Sequence, residues 1–175
     1  MFFGPNTIPL DLLDENMRLH IELDRYEMET FDDFCKHIQF QYRKNIVLAY
    51  YNYTDAEGNW GSVDEHYITP MDLQNISIGL EEVLSSKKES FQYETVIEVE
   101  TDSPFMILSC NTAGNFYSLE LKIAEGRFCE WLAVKLTQLT YEQFNQYVQV
   151  FAQWAKDYPV LSQEELSIAV QIPWH

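Results

Sequence analysis

The residues ITPMDL, at positions 68–73, have the chemistry of a helix start. Thr69 supplies the hydroxyl of an N-cap, Pro70 suits the first helical position, and Asp72 is an acidic residue at the third. The apolar residues that follow recur at three- and four-residue spacing: Leu73, Ile76, Leu80, Val83 and Leu84. This spacing predicts an amphipathic helix over residues 70–85.

A second helix start of the same kind, LTYEQF, lies at positions 139–144. Thr140 is the expected N-cap, and Gln143 is placed to complete a capping box. An apolar stripe follows: Phe144, Tyr147, Val148, Phe151, Ala155 and Tyr158. Because Pro159 cannot continue a helix, the pattern predicts a helix from Thr140 to Tyr158 whose stripe packs on a sheet.

The rest of the chain has the composition of strands. Apolar and polar residues alternate from Met17 to Asp24, the pattern of a strand with one solvated face. Further strands are predicted at residues 38–42, 46–53, 93–99, 105–110, 116–123 and 128–136. Strands, a helix, more strands and a second helix predict an α+β fold, a largely antiparallel β-sheet with two principal amphipathic helices packed on it.

A length of 175 residues suits a single globular domain spanning residues 1–175, with a core over residues 17–159 and a C-terminal tail of unclear structure over residues 160–175. No segment approaches the ~20 apolar residues needed to cross a bilayer. The N-terminus lacks the basic and apolar regions of a signal peptide. The cysteines, Cys35, Cys110 and Cys129, are too widely spaced for a disulfide framework or a zinc site. We therefore expect a cytoplasmic protein with reduced cysteines.

The charge is strongly negative. The 28 Asp and Glu residues against 11 Lys and Arg residues give a formal net charge of −17, with an isoelectric point near 4.4. Such a surface repels DNA, RNA and anionic lipid. The composition therefore predicts no nucleic-acid partner and no membrane partner.

No motif of catalysis is present. The histidines, His20, His37, His66 and His175, belong to no metal-ligand spacing, and Asp64-Glu65-His66 is expected to be a solvated loop. Nucleophile motifs and glycine-rich phosphate loops are missing from the sequence. We therefore predict no catalytic residue, no metal and no cofactor, and a protein that is not an enzyme.

Acidic and aromatic residues concentrate in the first third of the chain. If the first strand lies beside the aromatic hairpin, they form a patch that predicts a partner-binding surface. Its residues are Glu22, Asp24, Tyr51, Tyr53, Asp55, Glu57 and Trp60. The alternative is that the aromatic residues belong to the core and the acidic residues only face water.

The layout of these parts resembles the WapI-type immunity proteins of bacteria. The resemblance covers residues 17–159 and rests on a few segments: Ile21-Glu22-Leu23, the Asn59-Trp60-Gly61 turn, the Thr69-Pro70 helix start with Leu73 and Leu80, and the closing helix from Leu139-Thr140 to Tyr158-Pro159. Proteins of this family bind and silence a toxin in the cell that makes it.

The resemblance implies a non-enzymatic toxin inhibitor that acts by occupancy, and the charge of −17 predicts that its partner is basic. We expect a monomer or weak dimer that occludes the active or nucleic-acid-binding surface of a toxin domain. The alternative is a small-molecule-binding or regulatory α+β domain in which the sheet and helices enclose an aromatic pocket.

Overall fold

The computed structural model describes residues 7–30, 43–96, 104–125, 130–162 and 164–165. It has the predicted α+β fold with antiparallel sheets, so the expected fold class is confirmed. The strands are β1 (Leu10–Leu13), β2 (Met17–Thr30), β3 (Arg43–Asp55), β4 (Trp60–Ile68), β5 (Ser90–Val96), β6 (Pro104–Ala113), β7 (Phe116–Glu125) and β8 (Glu130–Leu139). The helices are α1 (Pro70–Leu84) and α2 (Tyr141–Asp157).

The described residues form two similar halves, each of four strands followed by a helix. Strands β1 to β4 make the first sheet and β5 to β8 the second, and in both sheets the strands are neighbours in chain order. Every neighbouring pair is antiparallel. This order needs only short connections, which is the reason that antiparallel sheets can form from consecutive strands.

Two strands were not predicted. β1 is only four residues long, and β4 contains Asp64-Glu65-His66, which was expected to be a solvated loop. That expectation is wrong, because the backbone of β4 pairs with β3 along most of its length. Among the described strands, β4 lies at the edge of the first sheet.

Both helices begin where the sequence predicts. The Thr69 hydroxyl accepts from the Asp72 backbone N–H at 3.1 Å, and the Asp72 carboxylate accepts from the Thr69 N–H at 2.9 Å. Thr140 and Gln143 form the same reciprocal pair at 3.2 and 2.9 Å. Each capping box satisfies backbone donors that a helix start otherwise leaves unpaired.

The helices lie against each other, with α1 also touching β5 and β6 and α2 touching β7 and β8. The buried side chains of both sheets and both helices belong to one cluster. The predicted stripe of α2 is largely buried, with Phe144, Val148 and Phe151 inaccessible to solvent. Trp154, which the predicted stripe left out, is buried as well, and its indole N–H donates to the Ile8 carbonyl at 2.7 Å.

Some predictions concern residues that the structure does not describe, and others stay untested. The predicted strand at residues 38–42 and the residues Cys35, His37, Cys129 and His175 lie outside the described residues. Leu10 and Leu12 of β1 are buried, so the described core begins before the predicted bound at Met17. The single-domain assignment and the tail at residues 160–175 stay predictions. In the described part of the chain, no helix is both long and apolar enough to cross a membrane.

Candidate partner-binding face

The first sheet has an outer face built by strand alternation. In β2, Leu19 and Ile21 are buried, whereas His20 and Glu22 lie on the opposite side. The outward side chains of the four strands define the outer face of the first sheet: Asp11, Leu13, Arg18, His20, Glu22, Tyr50, Asn52, Thr54, Trp60 and Ser62. β2 lies directly beside the aromatic strand β3.

One row across this face ends in apolar side chains. Leu13 is paired with Arg18, Arg18 with Thr54, and Thr54 with Trp60. Trp60 is 79% exposed and Leu13 is 66% exposed, the highest values for large apolar residues in the described part of the chain. Side chains directly opposite each other in neighbouring strands lie within contact distance, so the row is a continuous surface.

A histidine held between two carboxylates lies in the next row. His20 Nδ1 is 2.9 Å from Asp11 Oδ1, and His20 Nε2 is 2.9 Å from Glu22 Oε1. Hydrogen bonds to Glu22 and Asp11 raise the pKa of His20. Arg18 Nη2 also lies 3.2 Å from Asp11 Oδ1. Both ring nitrogens are therefore engaged by carboxylates of the chain, and the contact with Asp11 links β1 to β2 on this face.

The acidic residues predicted to face a partner are mostly engaged within the chain. The Asp55 carboxylate accepts from the Asn59 backbone N–H at 2.8 Å and from its side-chain amide at 3.0 Å. Asp24 Oδ2 lies 2.6 Å from Arg25 Nη1, and Glu22 is held by His20. Glu57 lies exposed in the turn between β3 and β4. Most of these carboxylates therefore bind neighbouring residues of the chain and do not form an open acidic patch.

Two of the predicted binding residues lie on the wrong side of the sheet. Tyr51 is 1% exposed and belongs to the core, and Tyr53 packs against the core on the same side. The Tyr53 ring fills the space beside Gly61 where a side chain would otherwise lie. Because neighbouring side chains of a strand alternate, the outward tyrosine is Tyr50, which is 47% exposed.

Sequence reasoning missed Leu13 and the cluster around His20 as parts of this face. The alternation of Tyr50, Asn52 and Thr54 with more apolar residues is a sequence signal for the outward side of β3. Leu13 had no such signal, since β1 is too short to be recognised from its pattern. The cluster around His20 was missed because one of its carboxylates, Asp11, becomes adjacent to the histidine only through strand pairing.

The described residues include no metal-ligand cluster, and their free cysteine is buried. In the described ranges, no three His, Cys, Asp or Glu residues are grouped so that they could hold a metal ion. Cys110 is a buried free cysteine, and its burial raises the pKa of the thiol to about 12. The side chain of His66 lies outside the described residues.

No family model and no curated protein matches the chain. Fifteen chains of solved structures do match. They include the plant transcriptional regulator PBF-2, at 10% identity and a TM-score of 0.47, covering 90% of this chain and 83% of that one. WHY3 from Arabidopsis thaliana has 9% identity and a TM-score of 0.48, with 94% and 95% covered. WHY1 from Arabidopsis thaliana has 8% identity and a TM-score of 0.48, with 98% of both chains covered.

These matches correct two expectations from the sequence. They are transcription regulators, not immunity proteins or toxin inhibitors, which stands against the predicted neutralisation of a basic toxin. They equally contradict the expectation that nucleic acid is not a partner. The resemblance to WapI-type immunity proteins itself stays a prediction, since no finding tests it.

Proposed function

We propose that this chain is a protein-recognition domain that binds a partner protein through the outer face of the first sheet, with the Trp60 indole as its anchor. The observation that carries the proposal is the exposure of Trp60, 79% of whose surface faces solvent at the end of a row that also exposes Leu13. The cytoplasm is the compartment in which we propose that it acts.

The residue types of this row are those of protein interfaces. Tryptophan, tyrosine and arginine are enriched among the residues that dominate binding energy, and Trp60, Tyr50 and Arg18 lie on the same face. The indole of tryptophan buries a large apolar area with few rotatable bonds, so its entropic cost on binding is small. A partner surface with an apolar pocket for the indole would complement this face.

The hydrogen bonds of the face indicate that apolar contact, not long-range charge, carries the affinity. Asp11 and Glu22 are held by His20, and Asp55 is held by Asn59. The pairing with His20 weakens the attraction that Asp11 and Glu22 exert on a partner, whereas Asp55 keeps its charge because Asn59 is neutral. Salt screens the attraction of such exposed charges beyond about 10 Å at 0.1 M. We expect an affinity that changes little between low and high salt.

The test begins with a photo-crosslinking amino acid at position 60 in the native host, which identifies the protein that touches this site. The purified partner is then titrated with wild-type protein, Trp60→Ala and Trp131→Ala. Trp131 is an exposed tryptophan of the second sheet and serves as the matched control. We expect Trp60→Ala to weaken binding by about 2 kcal/mol or more, roughly thirty-fold, and Trp131→Ala to leave it unchanged.

Two results would overturn the proposal. One is equal affinity of the partner for wild-type protein and Trp60→Ala. The other is saturable binding of a single-stranded DNA oligonucleotide that Trp60→Ala leaves intact, which would identify nucleic acid as the partner. Circular dichroism of the variant establishes that a loss of binding does not reflect a loss of fold.

A further inference from the structure

The outer side of the second sheet carries a pocket of about 420 Å³. It lies across β6, β7 and β8, and its lining includes Asn111, Phe116, Tyr117, Ser118, Lys135 and Gln138. Asn111 and Ser118 are directly opposite each other in the sheet. None of the residues that form the outer face of the first sheet lines this pocket.

A β-bulge shapes one wall of this pocket. Tyr117 pairs with Leu139, whereas Leu119 pairs with Leu136, so β8 has one residue more than β7 between these pairs. Gln138, within this bulge, has a φ of 56°, in the left-handed region that residues other than glycine seldom adopt. Bulges of this kind bend a strand and redirect its side chains, and they are common beside binding sites.

Hydrogen-bond donors converge on the pocket. The Ser118 hydroxyl donates to Asn111 Oδ1 at 2.6 Å, which occupies the amide oxygen and leaves the Asn111 NH₂ group as a donor. Lys135 forms no ion pair with any residue in the described part of the chain. Glu120 is directly opposite Lys135 in the sheet, but its Oε1 atom lies 3.8 Å from Lys122 Nζ. The Asp14 carboxylate accepts from the Lys135 backbone N–H at 2.9 Å, so a carboxylate lies close to this residue although it forms no ion pair with the ammonium group.

Aromatic rings form the apolar part of the lining. Phe116 is 47% exposed, so much of its ring is available for contact. Tyr117 is stacked on Phe144 of α2, with ring centroids 4.5 Å apart and planes 4° from parallel. Because Phe144 is fully buried, this stacking connects the pocket lining rigidly to the core.

We propose that this pocket binds a small planar ligand that carries an anionic group. The ring of the ligand packs on Phe116, and its carboxylate or phosphate is held by the Lys135 ammonium group and the Asn111 amide. A cation and a neutral donor together favour an anion through charge-assisted hydrogen bonds, and the aromatic lining favours a flat apolar body.

Titrations with phenyl phosphate and with benzoate test this site and separate the two anionic groups. Backbone amide signals of residues 111, 118, 135 and 138 are followed by NMR, with inorganic phosphate and benzyl alcohol as probes that lack the ring or the charge. We expect at least one aromatic anion to shift these signals saturably. Lys135→Gln should weaken that binding at least ten-fold, and Lys122→Gln, on the same sheet face, should not.

Three results would overturn the proposal: shifts that do not saturate, equal affinity for wild-type protein and Lys135→Gln, or inorganic phosphate binding as tightly as phenyl phosphate. Trp60→Ala should bind the probe like wild type. The outcome is therefore independent of the proposed partner protein, and failure of one proposal does not decide the other.

Discussion

The Tyr158 hydroxyl donates a 2.7 Å hydrogen bond to the backbone carbonyl of Asp24. The tyrosine is buried at the end of α2, and the carbonyl lies in β2 where the pairing with β3 is irregular. This bond joins the last helix of the chain to the first sheet across 134 positions of sequence. It satisfies a carbonyl at the irregularity of the strand, where the ladder of backbone hydrogen bonds is interrupted.

Removing this hydroxyl should destabilise the protein without creating a cavity. We expect Tyr158→Phe to lower the free energy of unfolding by about 1 kcal/mol, since one hydrogen bond is lost and its acceptor is partly buried. Urea denaturation followed by tryptophan fluorescence measures the change. Tyr141→Phe is the control, because Tyr141 is exposed on the first turn of α2 and should lose almost nothing. Equal effects of the two substitutions would show that the Asp24 contact contributes no stability.

The histidine cluster should make stability depend on pH. Hydrogen bonds to Glu22 and Asp11 raise the pKa of His20, so the folded protein binds the proton more tightly than the unfolded chain does. The resulting stabilisation is fully present below the unfolded pKa of about 6.5 and is lost as the pH rises through the folded pKa. His20→Gln should therefore cost more stability at pH 5.5 than at pH 8.5 in urea denaturation. A cost independent of pH would contradict the charged pairing.

The glycine in the middle of α1 is required by a contact. The ring of Phe91 in β5 occupies the space where a Cβ atom at position 79 would lie. Although alanine is the better helix former by about 1 kcal/mol, we expect Gly79→Ala to destabilise the protein by roughly 1–3 kcal/mol through overpacking.

A double-mutant cycle tests the cause of this cost. In a Phe91→Ala background the space is open, so Gly79→Ala should become neutral or stabilising. Chemical denaturation of the four proteins yields the coupling energy. An equal loss of stability in both backgrounds would show that the contact with Phe91 is not the cause of the destabilisation.

The buried stripe of α2 should carry much of the packing energy. Phe151 is fully buried and lies edge-on to Trp154, with ring centroids 5.2 Å apart. Phe151→Ala should lower the free energy of unfolding by about 3–5 kcal/mol, since it removes a large apolar side chain and leaves a cavity. Gln149→Ala, on the exposed side of the same helix, should change it by less than about 0.5 kcal/mol. An unchanged thermal midpoint for Phe151→Ala would mean that the face is assigned wrongly.

Interactions between residues close in sequence could be predicted from the chain, whereas those between distant strands could not. Thr69 with Asp72 and Thr140 with Gln143 form their capping boxes within four residues, so both helix starts could be read from the chain alone. The apolar spacing of α2 was informative for the same reason. The two halves of the fold were harder to recognise, because β1 and β4 depend on pairing with longer strands for their stability.

The sequence by itself determined the fold class, the two helices and the concentration of aromatic and acidic residues in the first third of the chain. Only the tertiary structure decided which of these residues face solvent. Tyr51 is buried and Trp60 exposed because strand register assigns each residue to a side of the sheet, and a register is a property of two strands together. The partner of Asp11 was decided in the same way, since its hydrogen bond to His20 exists only once β1 and β2 have paired.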